Sequence, residues 1–539
     1  MLKKILCLAL SVLIASTAVL FGCSPQEQAK PVASTDKYRN FYEIFVYSFY
    51  DSNGDGIGDL NGVIEKLDYL NDGDPTGGDD LGIDGIWLMP IMQSGSYHHY
   101  DVDDYKKVDD EYGTNDDFKK LCEECHKRGI KVIIDLVLNH TSTSNEWYKQ
   151  AVKELEEGNT DGYVQYYDIA KPGSVSNNAG YAQMGKTGGT LVEANFSAEM
   201  PELNLSNEKV RAEIKDIMKF WFDLGCDGFR LDAVKYFDSA STDGNEFLTW
   251  LYKTAKELKE DVYMVGEEWS GGSDISNRYK TGIDSLFNFP FSNKGSGTFL
   301  TAVNGKDVAG MLKTVKGWDG IVKKNNENGI DAVFLSNHDM PRSALSFSGD
   351  LASEKAGAML YMTLPGNPFI YYGEEVGIMG GASNDGTYRS SMPWSYTDTK
   401  GRCQETPGVA DNAFEEYSPK QSVEEQVKDK NSLFNFYKKI IDIKLTYPAI
   451  ARGTITDLVD LGKGSISGYI TEYNGEKLVL IYCLSDKEQT VEVPKDKVNF
   501  SGIAAQLCTQ DCDSEGNAPQ ATLNGSTLTM PAGSFVVLK

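Results

Sequence analysis

The chain has 539 residues, 40% hydrophobic and 24% charged, a balance that excludes disordered, collagen-like and coiled-coil chains. Its 79 acidic against 52 basic residues give a net charge of −27, a field that repels phosphate and argues against a nucleic-acid partner. The 29 Tyr, 23 Phe and 7 Trp supply many flat faces for a neutral, ring-shaped ligand.

At the N-terminus Lys3 and Lys4 precede an apolar run over 5–21 that ends at Gly22 and Cys23, the pattern of a secretory signal. The run is short for a membrane span and no basic stop-transfer cluster follows it. Leu20, Phe21, Gly22 and Cys23 resemble a bacterial lipobox, in which the Cys becomes the lipidated first residue. The expectation is a signal peptide over 1–22, a lipid-anchored linker over 23–36, and an extracellular protein held at a bacterial cell surface only through Cys23. Cys122 and Cys125 continue a stripe begun by Phe118 and Leu121, the spacing of a buried helix face rather than of a metal site.

From residue 40 short apolar runs alternate with amphipathic stretches. Eight runs read as strands: 42–48, 85–89, 131–138, 228–233, 263–266, 285–289, 332–335 and 369–372. Strands alternating with helices predict an α/β fold with a parallel sheet, and eight such units predict a closed (β/α)8 TIM barrel over 37–140 and 206–453. The stretch 141–205 after the third strand is too long for a plain connection and predicts an inserted subdomain. From about 454 to 539 alternating segments at 465–472, 477–483, 490–493, 520–523, 528–530 and 534–538 predict a C-terminal antiparallel β-sandwich domain, in a chain expected to be a monomer.

In such barrels the reacting groups come from the C-terminal strand ends. The third strand leads to Asp135, Asn139 and His140; the fourth carries Arg230, Asp232 and Lys235; the fifth ends at Glu267, Glu268 and Trp269; the seventh leads to His338, Asp339 and Arg342. Just after the second come His98, His99 and Tyr100. Four of the five His fall in these tracts, beside a carboxylate at each of four strand ends. Facing carboxylates with His, Arg and aromatics suit glycoside hydrolysis: one must be ionised, the other must hold a proton for the leaving oxygen. Arg230 lies two residues before Asp232 on a strand, so it shares a face with it and keeps it ionised. Burial and the neighbouring Glu268 would raise Glu267, as a general acid needs.

One further motif stands after the first strand. Asp51, Asn53, Asp55 and Asp59 alternate along a Gly-rich loop, with a carbonyl available at Ile57. The beginning is like that of an EF-hand, but Gly62 stands where the closing Glu would be. Alternating hard oxygens favour Ca²⁺ as the cofactor; a pair of tight turns is the other outcome.

Together these tracts resemble the α-amylase superfamily of retaining glycoside hydrolases over roughly 38–539. Segments around Phe45 to Asp51, Met200 to Asn204, Gly366 to Glu374 and Arg389 to Trp394 are also similar to its signatures. The resemblance implies Asp232 as nucleophile, Glu267 as acid/base and Asp339 as transition-state stabiliser. It implies that Arg230 orients the nucleophile, that His140 and His338 hold sugar hydroxyls, and that Tyr100 stacks on that sugar beside His98. Lys235 and Trp269 would touch the leaving-group side, Arg342 would join the substrate contacts, and Asp135 would be a structural partner. The loop resembles a calcium loop of part of the superfamily. Two positions depart from the pattern: Tyr236 where His is frequent, and His99 where Gly is common. The implied substrate is an α-glucan, starch or maltooligosaccharide, and Ala233 after the nucleophile resembles α-1,4 rather than α-1,6 cleavage. An α-glucosidase, a cyclomaltodextrinase or neopullulanase, a transglycosylase, or a non-catalytic starch-binding protein are the alternatives.

Overall fold

The structure is a computed structural model that describes residues 36–539 except 75–77, 171–172, 174, 176–179, 187–188, 293–295, 382–383 and 411. The signal segment and Cys23 lie outside the described residues. No helix among the described residues is long and apolar enough to cross a membrane.

Eight parallel strands close into a barrel: β1 (Phe41–Ile44), β2 (Gly85–Leu88), β3 (Lys131–Leu136), β4 (Gly228–Leu231), β5 (Tyr263–Gly266), β6 (Ser285–Phe287), β7 (Ile330–Phe334) and β8 (Asn367–Tyr371), with β8 hydrogen-bonded back to β1. The first predicted strand is shorter than expected, because Val46–Ser48 turns into a 3-10 helix. Every barrel strand but β3 and β7 is buried at all positions, as expected of parallel strands covered on both faces. Inside the barrel Phe41, Trp87, Ile133, Tyr263, Val265, Phe287 and Phe369 pack against one another, so the interior is filled and ligands are confined to its mouth.

The connecting helices have readable causes. Asn115–Lys127 opens with a capping box between Thr114 and Asp117, and buries Phe118, Leu121, Cys122 and Cys125. Glu208–Asp223 is capped by Asn207 and Gly244–Leu258 by Asp243. All seven cysteines of the described residues are free thiols, so Cys508 and Cys512 are unpaired.

The excursion after β3 holds the helix Glu146–Glu156 and a three-stranded sheet of Ile169–Ala170, Leu191–Glu193 and Tyr181–Gln183. Its two ends are zipped: the Leu203 N–H donates to Asn139 O at 2.8 Å, and the Thr141 N–H to Pro201 O at 3.1 Å. The C-terminal domain has a five-stranded antiparallel sheet and a three-stranded one. The strand Glu476–Cys483 shows why both faces are apolar. Val479, Ile481 and Cys483 face the smaller sheet, while Leu478, Leu480 and Tyr482 join the barrel's core. The strands Thr454–Lys463 and Ile503–Cys508 were not among the predicted segments; the second has Ala504, Ala505 and Gln506 in place of a clean alternation.

Candidate active site

The site begins with strand register. Arg230 on β4 pairs with Asp135 on β3 and with Val265 on β5, which sets its side chain among three strand ends. The guanidinium is 1% exposed. Its Nη1 donates to Asp135 Oδ1 and to Asp232 Oδ1, each at 2.8 Å, and its Nη2 lies 3.1 Å from Glu267 Oε2. Ala233 then takes the left-handed region at φ 51°, a conformation that costs an alanine on the order of 1 kcal/mol. That turn aims the Ala233 N–H at Glu267 Oε2, 3.0 Å away. With Oε2 held twice, the exchangeable proton of Glu267 belongs on Oε1.

Across the mouth His338 is fully buried between acceptors. Its Nδ1 is 2.6 Å from Glu43 Oε1, and its Nε2 is 3.1 Å from Asp339 Oδ2 and 2.7 Å from the Tyr100 hydroxyl. Tyr100 donates its hydrogen to Asp135 Oδ2 at 3.1 Å and stacks on His338 with centroids 5.5 Å apart. Asp339 is also gripped by Arg389, whose Nη2 donates to Oδ1 at 2.9 Å. Arg389 Nη1 reaches the Tyr97 hydroxyl at 3.0 Å.

These contacts sort the charges. Burial alone would raise Asp339, but the His338 imidazolium, then Arg389 and Arg230, hold it well below the usual carboxylate range. Burial works against charge on His338, yet Asp339 and then Glu43 raise it to about 9. Burial pushes Glu267 up, Arg230 opposes, and the charges of Asp232 and Asp339 add to the rise. Asp232 is also pushed up by burial, with Arg230 pulling it back by Coulomb attraction and by its hydrogen bond. Burial lifts Asp135 to about 7 against the same Arg230. Glu43, Asp135, Asp232, Glu267 and Asp339 thus face three cations, Arg230, Arg389 and His338, so acids outnumber cations in the cluster.

Around it stand the walls. His98 and His140 are each lowered to about 4 by burial and are neutral. The His98 ring lies 6.0 Å from that of Tyr100. His140 Nε2 donates to Tyr100 O at 3.1 Å and its ring lies 5.3 Å from Phe196 of the inserted subdomain. Phe196 is 50% exposed and touches Tyr236 at 4.8 Å. Lys235 is exposed beside Tyr236, and Trp269 stacks on Phe289 at 4.8 Å. His99, at φ 60°, keeps the left-handed conformation that explains a glycine there. Its ring is bonded by Asp109 at 3.3 Å and Tyr97 O at 3.2 Å.

One expectation needs correction. Arg342, expected among the substrate contacts, is 1% exposed and lies over the rings of Tyr371 and Tyr372, donating to Tyr372 O at 2.6 Å. It supports β8 from behind, because the turn after Asp339 carries it away from the mouth; Arg389 is the guanidinium that reaches the acid. In the Asp51–Asp59 loop the carboxylates are not gathered around one point. Asp51 accepts the N–H groups of Asn53, Gly54 and Gly56, Asn53 accepts that of Asp55, and Asp55 that of Ile57. Asp59 caps the next helix through Gly62 N–H at 2.8 Å. The tight turns are therefore present. The donor set still fits a hard cation: Asp51, Asp55 and Asp59 are close enough to the buried Cys403 to push its thiol up, after burial itself. Among the described residues no basic side chain pairs with them, the adjacent Lys400 reaching Glu65 instead at 3.7 Å. A carboxylate that accepts backbone N–H bonds keeps lone pairs for an ion. The His/acid group that does gather ligand atoms within 4.8 Å is His99, Asp109 and Glu111, where the imidazole is already bonded.

Glu43 and Arg389 were missed as site residues from the sequence. Glu43 sits in an apolar run, and a lone acid in a doubly covered parallel strand was the available signal.

The family model for the alpha amylase catalytic domain matches residues 43–453. Alpha-amylase 3 of Dictyoglomus thermophilum is 38% identical over 84% of this chain and 86% of its own length. An oligo-1,6-glucosidase of Parageobacillus thermoglucosidasius is 30% identical over 88% and 94%. Among solved structures, Eubacterium rectale Amy13B superposes with a TM-score of 0.85 at 40% identity, covering 94% of this chain and 96% of that one.

Proposed function

The chain belongs to the alpha-amylase family of glycoside hydrolases, and on that premise we propose that it cleaves α-1,4-glucosidic bonds in starch or maltooligosaccharides with retention. The observation that carries this is the single Arg230 guanidinium touching both Asp232 and Glu267. Two carboxyl groups on one guanidinium suit the spacing of about 5–5.5 Å found in retaining sites rather than the wider inverting one.

In the first step Asp232 attacks the anomeric carbon through Oδ2, since Oδ1 takes the Arg230 bond. The bond to the leaving sugar breaks as Glu267 gives its proton to the departing oxygen, leaving a glycosyl ester on Asp232 and an ionised Glu267. In the second, Glu267 takes a proton from water, the hydroxide joins the anomeric carbon, and Asp232 leaves as carboxylate. Two inversions return the α-anomer. Asp339, kept ionised by His338 and Arg389, steadies the positive charge that develops on the sugar in the transition state of each step. Tyr100 and His98 form the sugar's wall, while Phe196, Tyr236, Lys235 and Trp269 line the leaving-group side.

A Ca²⁺ held by Asp51, Asn53, Asp55, Ile57 and Asp59 would pin the loop after β1 and supply stability rather than bond cleavage. Export and lipidation at Cys23 complete the proposal, on the basis of the N-terminal sequence alone. Release of reducing sugar from soluble starch, with NMR of fresh product, is the test. The α-anomer of maltooligosaccharides is expected first. No release, or release from isomaltose but not from maltotriose, overturns the α-1,4 assignment in favour of the specificity in the oligo-1,6-glucosidases' name.

A further inference from the structure

Glu43 is a buried acid that none of the steps above uses. It stands on β1, in register with Trp87 on β2 and Tyr371 on β8, and is 1% exposed. Its Oε1 lies 2.6 Å from His338 Nδ1. The other ring nitrogen meets two more oxygens, Asp339 Oδ2 at 3.1 Å and Tyr100 Oη at 2.7 Å. Tyr100 gives its own hydrogen to Asp135 Oδ2. Both nitrogens of His338 therefore face oxygens that accept, and a neutral imidazole, with one N–H, would leave one of these short contacts without a hydrogen.

We propose that Glu43 is a positioning residue that fixes the orientation and the positive charge of His338, and through it sets Tyr100 and Asp339 at the sugar-binding wall. The chain of contacts runs from Glu43 through His338, Tyr100 and Asp135 to Arg230 and Asp232, so an acid on β1 helps to hold the nucleophile just past β4. The ring is surrounded by Glu43 from β1, the Trp87 indole at 5.7 Å from β2, Tyr100 from the following loop and Asp339 on its own segment, with the charges of Asp135, Asp232 and Arg230 beyond. Arg389 bonds the His338 carbonyl at 3.2 Å, holding the backbone while Glu43 holds the ring. The kinetic part of this role rests on the chain being the α-glucan hydrolase proposed above.

The direct test is an ¹⁵N titration of the imidazoles, tractable with five His in the chain. In the wild type His338 should stay doubly protonated through neutral pH and titrate near 9. In Glu43→Gln, which keeps the shape, its midpoint should fall by roughly one unit or more, the effect of removing one adjacent opposite charge. Glu43→Asp, which keeps the charge but withdraws it, should fall between. With maltooligosaccharide, Glu43→Gln should lose roughly tenfold in kcat/KM, with part recovered in Glu43→Asp. A wild-type His338 that titrates near the free imidazole value, or a midpoint unmoved by Glu43→Gln, overturns the proposal. Should the wild type release no sugar from any α-glucan, the hydrolase assignment falls, while the titration still decides the role of Glu43.

Discussion

Two groups of buried acids stand past the ends of barrel strands, one after β4, β5 and β7 and the other after β8, and they are held by different partners. At the mouth, Asp232, Glu267 and Asp339 share Arg230, Arg389 and His338. Behind it, Glu374 and Glu375 have tyrosines instead: Tyr361 and Tyr437 donate to Glu374 Oε1 at 2.9 and 2.8 Å, and Tyr42 and Tyr69 to Glu375 Oε1 at 2.8 and 2.5 Å. Burial lifts Glu374 to about 7, and hydroxyl groups do not reverse that as His338 and Arg389 do at Asp339. Among the cations one acid, Asp339, keeps its charge while Glu267 is pushed up and can pass a proton; ringed by hydroxyls, Glu374 keeps its proton and serves as a rivet.

The sharpest break in this contrast is Glu267→Gln, which removes a proton donor and leaves the shape. Turnover on starch should fall roughly a thousandfold or more, with the melting curve little changed. Near-normal turnover would show that the mouth is another rivet. Next comes Glu374→Gln, the mirror experiment. Between its ordinary value of 4.5 and about 7 the folded chain holds a Glu374 proton that the unfolded chain has released. Stability must then fall as pH rises through that window, by on the order of 3 kcal/mol from this group. The variant should lose that part of the slope, seen by comparing melting temperatures at pH 5 and pH 8, while folded molecules turn over substrate nearly as before. An unchanged slope would mean that Glu374 is ionised after all. The smallest effect concerns acids without a cation partner among the described residues. Asp51, Asp55 and Asp59 have backbone N–H groups and the Ser52 hydroxyl as partners, so a chelator should lower the melting temperature by about 1 °C per kcal/mol of ion binding lost in a chain of this length. Asp55→Ala should copy the chelator and abolish its further effect, and identical melting curves with and without chelator would identify the loop as turns alone.

The eight strands and their order were legible because parallel strands covered on both faces read as unbroken apolar runs. The acids were legible because each stood at such a run's end. Side-chain direction in turns was not. Arg342 is three residues from Asp339, yet it points away, while Arg389, fifty residues on, arrives beside it. Glu43 was hidden for the opposite reason: strand periodicity assigned its position to the core, which is where it lies, and nothing local told of the imidazole arriving from β7. The loop at Asp51 declared its oxygens by spacing but not that their bonds would first go to its own backbone.

The zipped ends of the excursion after β3 have a consequence for descent and redesign. Because Asn139 is bonded to Leu203 and Thr141 to Pro201, the chain leaves the barrel and returns at one point. The excursion behaves as a cassette: its length and content can change at small loop-closure cost, without re-registering β3. Phe196 rides on that cassette and leans over His140. Exchanging one cassette for another would hand the same catalytic acids a different roof, a route by which a lineage can alter what it digests while its chemistry stays still.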